Sequence, residues 1–427
     1  MDLRRFAFIA LVIIILFTIV LLIGGAQVAP MIIITSMVAT TISVATPLTL
    51  GALSGVFCER SGVVNIGIEG MMLTAAFFGW FGSIYMNTIL NLPATPSLLI
   101  GLVIAILSGA MMGLLHAVLS ITFKVDQIIG GTVINILAVG MTGFLNRQLF
   151  FEKGSIFGGQ IPHAPGTFRG LKLPHFSDDP AVLSYFAKNP AVFYILMVTL
   201  AVILLTVLVL LIILFIRILR IYRNKETRPQ LTEASPRNLT FRFVIYLLYG
   251  FLVGWLLEQQ PIAISAILLV IVANFVLFNT RWGLRTRAVG EHPRAADTVG
   301  INVYKMRYAN VIIGGSLAGL AGAYFTLESV PSFEPLMTNG RGFISLAAMI
   351  FGNWTPFGAW AAALVFGAAQ ALQINVQFFR EWIPPNWAFI QQAYVVGLIP
   401  YILTMLILTG LIGRTTAPAA DGAPYEK

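Results

Sequence analysis

The side chains best suited to chemistry lie in a charged segment, residues 281–301, which separates two long apolar runs. Its middle predicts a short helix, because Pro293 suits a first helical position and Gly300 can end a helix. Such a short helix is not stable alone in water, so we expect it to dock on a partner with a charged groove; the alternative is an ordinary basic loop. The residues assigned to docking are Arg285, Arg287, Gly290, Glu291, His292, Pro293, Arg294, Ala295, Ala296, Asp297 and Gly300.

A second polar block, residues 59–73, lies where an apolar run begins. Asn65 and Glu69 are four residues apart and would share one helical face, while nearby glycines leave room for another backbone. We expect a packed helix start. Glu59 beside Arg60 could instead be a solvated pair, and Glu69 could be a proton relay. The residues of this helix-start motif are Glu59, Arg60, Asn65, Gly67, Glu69 and Gly70.

Two polar stripes follow apolar runs at helical spacing. The first steps by three, seven and four residues and the second by three and four, so the members of each stripe share one helical face. Such groups can bind a polar solute in a cavity or can bond between helices, and the spacing leaves both roles open. The stripes are Thr132, Asn135, Thr142 and Asn146, and Gln370, Gln373 and Gln377.

The composition, with 58% hydrophobic and only 10% charged residues, excludes a water-soluble globular surface. Apolar runs long enough to cross a bilayer recur from Phe6 to Leu411 and lack the alternation of a β-barrel. The sequence therefore predicts an all-α, polytopic transmembrane helical bundle of about 10–12 membrane segments. The net charge of +9 gathers in loops beside the spans, which indicates topology signals and not nucleic-acid binding. The single cysteine, Cys58, excludes an intramolecular disulfide and offers no metal cluster.

One apolar region is too short to be an ordinary pair of spans. Residues 342–353 give too little helix to cross a bilayer at 1.5 Å per residue, so we expect a re-entrant or broken limb that turns at residues 352–358. With Arg4 and Arg5 in the cytoplasm, this limb brings the basic loops to the inside, as the positive-inside rule requires. The spans are expected near residues 6–25, 30–57, 63–88, 97–123, 127–150, 190–222, 241–258, 260–280, 306–330 and 387–412, with a pair inside 342–379.

The blocks 59–73 and 281–301, with the ending 417–427, resemble the membrane permease subunits of bacterial ABC importers for nucleosides. Permeases for ribose and branched-chain amino acids are more distant relatives. The resemblance implies a transmembrane permease domain over residues 1–413, a short cytoplasmic tail over 414–427, and a coupling helix on residues 290–300. Relatives need one span where this chain predicts three, so we expect an extra two-span insertion near residues 191–258. The tail is rich in Ala, Pro and Gly, which predicts disorder.

The resemblance further implies a transport subunit without a catalytic site, in the plasma (inner) membrane of a bacterium. Its expected partners are a second homologous permease subunit, two cytoplasmic ABC ATPase subunits or domains, an extracytoplasmic substrate-binding lipoprotein and the lipid bilayer, with no nucleic acid. The chain lacks the phosphate-loop pattern Gly-x-x-x-x-Gly-Lys-[Ser/Thr], so we expect it to bind no cofactor and a partner to use the ATP. The polar stripes are then candidates for the pathway lining.

Other classes of protein make different demands on the sequence. A sugar or branched-chain amino acid importer would differ only in its solute. A secondary transporter or channel, working without ATP, should carry ionisable groups deep in several spans, and Glu69 and the re-entrant limb are the features that favour it. A membrane enzyme would need clustered His, Asp or Glu, and the four histidines are scattered.

Overall fold

A computed structural model describes residues 30–152, 157, 164–168, 246, 259–375, 398 and 415–426, with only the backbone for residues 30–36. The chain divides into two compact units. The first comprises Met1–Leu171 and Leu247–Lys427 and contains the helices described here by their bounds. The second, Lys172–Tyr246, covers much of the expected insertion near residues 191–258, and its residues lie outside the described part except for the helical Tyr246.

The described part of the chain is helical and contains no strand. Three helices continue into short π-helical turns, at Val118–Thr122, Arg147–Phe151 and Tyr324–Ser329. The helices are α1 Pro30–Glu59, α2 Ile68–Thr88, α3 Ala94–Ala117, α4 Gln127–Asn146, α5 Pro261–Asn279, α6 Arg281–Glu291, α7 Pro293–Thr298, α8 Val303–Ala323, α9 Arg341–Phe351 and α10 Pro356–Ile374.

Six helical stretches among the described residues are long and apolar enough to cross a membrane, which confirms the all-α transmembrane class. They are Met37–Glu59, Ala94–Thr122, Gln127–Phe151, Pro261–Asn279, Val303–Ser329 and Pro356–Ile374. The expected spans at 6–25, 190–222, 241–258 and 387–412 fall outside the described residues, apart from single positions.

The short limb predicted at residues 342–353 is present as α9, an apolar helix of 11 residues, and its re-entrant path stays a prediction. It ends at Phe351, and the chain reverses through residues 352–355, where Asn353 and Trp354 both adopt a φ of 52°. Helix α10 then runs for 19 residues with Pro356 in its first turn. The turn therefore joins a half-length helix to a full-length one, as the sequence predicted.

The start of α2 differs from the sequence interpretation. We expected a span from residue 63 with Asn65 and Glu69 on one helical face, but the helix begins only at Ile68. Gly62 adopts a left-handed φ of 83°, and the Asn65 side chain accepts a hydrogen bond from the backbone N–H of Gly67. This turn keeps residues 60–67 out of the helix, so Asn65 and Glu69 do not share a helical face.

Helices α3 and α8 approach each other with their backbones in contact. A Cβ atom added to Gly109 would lie 2.4 Å from the Gly315 carbonyl oxygen, and one added to Gly113 would lie 2.8 Å from the Val311 oxygen. Small residues on facing helices allow this approach, which gives dispersion contacts where the bilayer provides no hydrophobic driving force. Helix α8 also packs against α1 and α2, so it is central to the bundle.

We expect Gly109→Ala to lower the free energy of unfolding by about 1–3 kcal/mol, because overpacking forces the two backbones apart. The measurement is thermal unfolding of the purified protein in detergent. Gly140→Ala is the matched control, since a Cβ there meets nothing within 4 Å. Equal melting temperatures for the two variants would contradict the backbone contact.

Candidate functional site

The charged segment, the turn of residues 60–67, the α9–α10 turn and the tail (residues 415–426) meet at one end of the bundle. We call this end the charged face. Gly290 packs so closely on the backbone of Arg60 that a Cβ there would lie 2.3 Å from its carbonyl oxygen. The Arg60 guanidinium donates to the carbonyl oxygen of Trp354 at 2.8 Å and to that of Asn353 at 3.2 Å. One arginine thus joins the end of α1 to the re-entrant turn.

Helix α7 confirms the short helix predicted around residues 293–300. It spans Pro293–Thr298, with the proline in its first turn, and it ends where Gly300 adopts a φ of 83°. Helix α6, directly before it, was not predicted. Two signals in the sequence could have revealed it. Thr280 is a residue type that often precedes a helix, and its hydroxyl accepts from the Gly283 N–H. Small or apolar residues also recur at helical spacing on the face that is buried, at Gly283, Thr286, Val289 and Gly290.

The segment divides into residues that face outward and residues that anchor it. Arg287 lies with its guanidinium 5.0 Å from the centre of the Phe278 ring and so packs α6 onto α5. Beside the predicted residues, Leu284 is 61% exposed and Val299 74% exposed, so the outward surface mixes cations with apolar groups. The exposed predicted residues are Arg285, Glu291, His292, Arg294, Ala295 and Gly300; Arg287, Pro293 and Asp297 are half-buried; Gly290 and Ala296 are buried.

The tail was predicted to be disordered, and for residues 415–426 that prediction was wrong. Its backbone is held by hydrogen bonds, from Ala420 N–H to the Gly290 oxygen at 2.9 Å and from Thr416 N–H to the Asn353 side chain at 3.0 Å. Tyr425 is buried among apolar residues of α6, α7 and α8. The Ala, Pro and Gly composition is compatible with an irregular path, but the contacts that order the path come from residues distant in sequence.

A carboxyl pair, with Glu59 buried and Asp421 half-buried, joins the tail to the end of α1. Glu59 accepts a hydrogen bond from the Trp354 ring nitrogen at 2.6 Å, and its carboxyl group also hydrogen-bonds to Asp421. Burial raises the pKa of Asp421 to about 6, although the bond to Glu59, the Gly422 N–H and the charge of Arg307 all act to lower it. Glu59 is 5% exposed, so the interpretation as a solvated pair with Arg60 was wrong.

Glu69 occupies a different position, deep in the bundle. Met72, one helical turn after Glu69, lies beside Gly322 of α8. Gly322 is about 28 Å along α8 from the end of that helix that lies at the charged face. The Glu69 carboxylate accepts from the backbone N–H of Gly340 at 2.8 Å and of Gly342 at 2.6 Å. It therefore caps the first turn of α9, where a negative charge is favoured by the helix dipole. Each carboxylate oxygen accepts one backbone N–H, as a helix cap requires. A proton relay would instead need a second titratable group to exchange the proton with, so these bonds favour the capping role.

The glycines of the helix-start motif serve close packing, as expected. Gly70 donates its N–H to the Asn135 side-chain oxygen at 2.8 Å, and the Asn135 amide donates to the Ile66 carbonyl at 3.1 Å. A Cβ on Gly67 would lie 3.2 Å from the Ile134 side chain, and one on Gly70 would lie 2.8 Å from the Asn135 backbone. Asn135 thus bonds between α4 and the start of α2.

The remaining stripe residues stay predictions as pathway groups. Thr132 is exposed and Thr142 is buried, and each hydroxyl donates to a carbonyl of its own helix, at Ile128 and Ala138 respectively. Asn146 is buried, Gln370 and Gln373 are half-buried on α10, and Gln377 lies outside the described residues. Among the described residues no cluster of three His, Cys, Asp or Glu side chains could hold a metal ion.

Two buried ionisable residues were not singled out from the sequence. Glu328 accepts from the N–H groups of Ile262 at 2.6 Å and Ala263 at 3.2 Å and so caps α5. Arg307 is 2% exposed and donates to the Ala423 carbonyl of the tail at 2.9 Å. Their position within apolar runs of the sequence could have identified them, because ionisable residues are rare in such runs unless they have a specific partner.

The sequence matches the family described as branched-chain amino acid transport system / permease component, over residues 37–207 and 181–408. It is 35% identical to the guanosine ABC transporter permease protein NupQ of Bacillus subtilis (strain 168), covering 92% of this chain and 98% of that protein. It is 32% identical to the nucleoside ABC transporter permease protein NupC of Lactococcus lactis subsp. cremoris (strain MG1363), covering 91% and 96%. It is 28% identical to the putative glucose ABC transporter permease protein TsgC13 of Haloferax volcanii, covering 88% and 91%. No solved structure matches the chain.

The capping role of Glu69 predicts that Glu69→Gln lowers the free energy of unfolding by about 1–3 kcal/mol, because an amide cannot accept from both N–H groups. Thermal unfolding in detergent measures the effect. Glu152→Gln is the control, since Glu152 is exposed and its carboxylate accepts a hydrogen bond only from Gln148, four residues earlier, among the bonds described for it. An unchanged melting temperature in Glu69→Gln would contradict the cap.

The raised pKa of Asp421 predicts tail docking that weakens with rising pH. The docked tail favours the protonated carboxyl group, so docking is strongest below the ordinary aspartate pKa near 3.9 and weakens as the pH rises through 6. The docking equilibrium constant should fall about tenfold from pH 5 to 7 and change little from there to pH 8. The measurement is thiol labelling of Ala420→Cys relative to Ala423→Cys, because residue 420 is 8% exposed and residue 423 is exposed. Cys58 is fully buried and can stay in place.

Weaker docking exposes residue 420, so the labelling of Ala420→Cys relative to Ala423→Cys should rise between pH 5 and 7. In an Asp421→Asn background most of this rise should be lost. The ratio cancels the intrinsic pH dependence of the thiols, which both variants share. An equal rise in the Asp421→Asn background would show that another group controls docking.

Proposed function

The chain belongs to the family of branched-chain amino acid transport system / permease components, and from that premise we propose that it forms the solute pathway of an ATP-binding cassette importer for nucleosides or related solutes. The nucleoside assignment is supported by two relatives, named as guanosine and nucleoside permeases, that match over nine-tenths of this chain. The relative named as a putative glucose permease makes a sugar the competing solute.

The observation that carries the proposal is the arrangement of α7 on the charged face. Its buried residue, Ala296, is packed into the protein, while Arg294, Ala295 and Thr298 are exposed beside the exposed Val299. A six-residue helix with one anchored face and one free face that mixes charge and apolar groups suits insertion into a groove of a partner. We assign that groove to a cytoplasmic ATPase subunit, which would bind and hydrolyse the ATP.

A continuous series of direct contacts could carry movement of α7 into the bundle. Gly290, just before α7, rests on the backbone of Arg60, and Arg60 bonds to the carbonyls of Asn353 and Trp354. The α9 helix leads from this turn to its capped start at Glu69. Displacement of the coupling helix would therefore reach the middle of the membrane through the half-length helix.

The remaining partners follow from the same proposal. A second homologous permease subunit would complete the pathway, two ABC ATPase subunits or domains would supply energy, and an extracytoplasmic lipoprotein would deliver the solute at the plasma membrane of a bacterium. Helices α3 and α4 carry exposed apolar side chains, such as Leu107, Met111 and Ile136, at 57%, 71% and 67% exposure. These faces suit lipid or the second permease and would be unfavourable in water.

The test is reconstitution of the complete complex in vesicles with ATP inside or outside. We expect uptake only with ATP on the side of the charged face, and we expect unlabelled guanosine, but not glucose, to compete with a labelled nucleoside. Uptake against a gradient without ATP would reject the importer class. Competition by glucose alone would reject the nucleoside assignment and leave the class intact.

The coupling site itself predicts that Ala295→Glu lowers ATP-driven uptake by at least about tenfold, because a charged side chain is placed in the partner groove. Replacement of residues 290–300 by a Gly/Ser linker should abolish uptake. Ala94→Glu is the control: it adds the same side chain at an exposed position on the far end of α3. Wild-type uptake by the Ala295→Glu complex would contradict the coupling assignment.

A further inference from the structure

The tail contacts each structural element of the charged face. Near its start, Thr416 bonds to Asn353 of the re-entrant turn, and then Ala419 N–H bonds to the Glu291 carboxylate at 3.2 Å. Ala420 N–H bonds to the Gly290 oxygen, and Asp421 meets Glu59 at the end of α1. In six successive residues the tail thus bridges α1, α6 and the turn before α10.

The far end of the tail packs beneath the coupling helix. Tyr425 belongs to a buried cluster with Val289 of α6, Ala296 of α7, and Val303 and Met306 of α8. Its ring centre lies 5.3 Å from that of Tyr304, whose hydroxyl donates to the Tyr425 carbonyl at 3.3 Å. The Tyr425 hydroxyl also hydrogen-bonds to Asp297 of α7. Tyr425 therefore contacts α7 through both its ring and its hydroxyl group.

Contacts made by two buried side chains, Arg307 and Tyr425, hold this end in place more than surface charge does. Arg307, 2% exposed in α8, donates to the Ala423 carbonyl at 2.9 Å, and its charge acts on Asp421. By contrast the ion pair between Lys124 and Glu426, at 2.6 Å, has partners that are 40% and 70% exposed. Exposed pairs contribute little because water and salt screen them. The contacts of Tyr425, Asp421 and Ala423 should therefore dominate the attachment.

The tail anchors α7 without covering its outward face. Ala296 points toward Tyr425, whereas Ala295, Thr298, Val299 and Gly300 stay exposed. A helix of six residues has too little structure of its own to transmit a displacement, since isolated helices of that length do not hold together. The contacts that fix the buried face of α7 therefore determine whether movement of its outward face reaches the bundle.

We propose that residues 415–426 form a strap that fixes α6 and α7 to the ends of α1, α8 and the re-entrant turn, and that Tyr425 is the positioning residue through which the ATPase partner moves these helices. This inference rests on the proposed function. The strap acts as a mechanical connection: without it α7 still binds the partner, but it yields locally when the partner moves. ATP hydrolysis then proceeds with less solute transported.

The experiment compares wild-type, Tyr425→Ala, Tyr425→Phe and Glu426→Gln chains in the complete reconstituted complex. Two quantities are measured for each: the ATPase subunits that co-purify with the permease, and the solute molecules taken up per ATP hydrolysed. We expect Tyr425→Ala to lower the uptake per ATP by about tenfold or more, because several contacts are lost together, while the co-purified ATPase stays within about twofold. Tyr425→Phe keeps the ring and should retain most of the ratio.

Glu426→Gln is the matched control, because it removes the exposed ion pair with Lys124 and a weaker charge interaction with Arg294 but keeps the contacts of Tyr425, so it should leave both quantities unchanged. The strap is rejected if Tyr425→Ala transports as much solute per ATP as the wild type. It is also rejected if Tyr425→Ala only reduces the amount of assembled complex, with normal uptake per ATP in what remains. Failure of the proposed function is distinguishable, because in that case the wild-type complex would not need ATP.

Discussion

A backbone N–H group without a partner inside a membrane costs several kcal/mol, and that constraint organises this bundle. A helix that starts within the protein must find acceptors for its first N–H groups, and two acidic side chains supply them. Glu69 accepts from residues 340 and 342 at the start of α9, and Glu328 accepts from residues 262 and 263 at the start of α5. Each carboxylate joins segments far apart in the sequence. The carboxylate that α2 presents therefore stabilises the start of the half-length helix.

The same need for backbone hydrogen-bond partners explains the structure of the charged face. Arg60 bonds to two carbonyl oxygens of the re-entrant turn, and Arg307 bonds to a carbonyl of the tail. These arginines donate hydrogen bonds to backbone carbonyl oxygens that lie outside the regular helices. Such bonds fix geometry more strictly than an exposed ion pair, because they are partly buried and a lost bond leaves an unsatisfied polar group. The charged face is consequently a connected structure in which the coupling helix, the end of α1 and the α9–α10 turn share partners.

The sequence predicted features whose causes are local. Pro293 and Gly300 define α7 because one fixes φ at a helix start and the other permits a left-handed end, and the length of residues 342–353 alone excludes a full span. The sequence prediction failed where individual side-chain hydrogen bonds, local or long-range, decide the path of the backbone. Asn65 was assigned to a helix because residue spacing cannot reveal its bond to Gly67, and the ordered path of residues 415–426 depends on Gly290, Asn353 and Arg307. For Asn135, spacing allowed both a pathway role and packing, and the structure shows that its side chain bonds to α2.

The glycine contact between α3 and α8 has a consequence for how such a protein can change shape. With Gly109 and Gly315 in backbone contact, neither helix can slide or roll on the other without steric overlap. The two should therefore travel as one rigid block throughout a transport cycle. Relative rotation during transport is then left to parts of the bundle outside this block. A single close contact between two glycines thereby limits which parts of the bundle can move against each other.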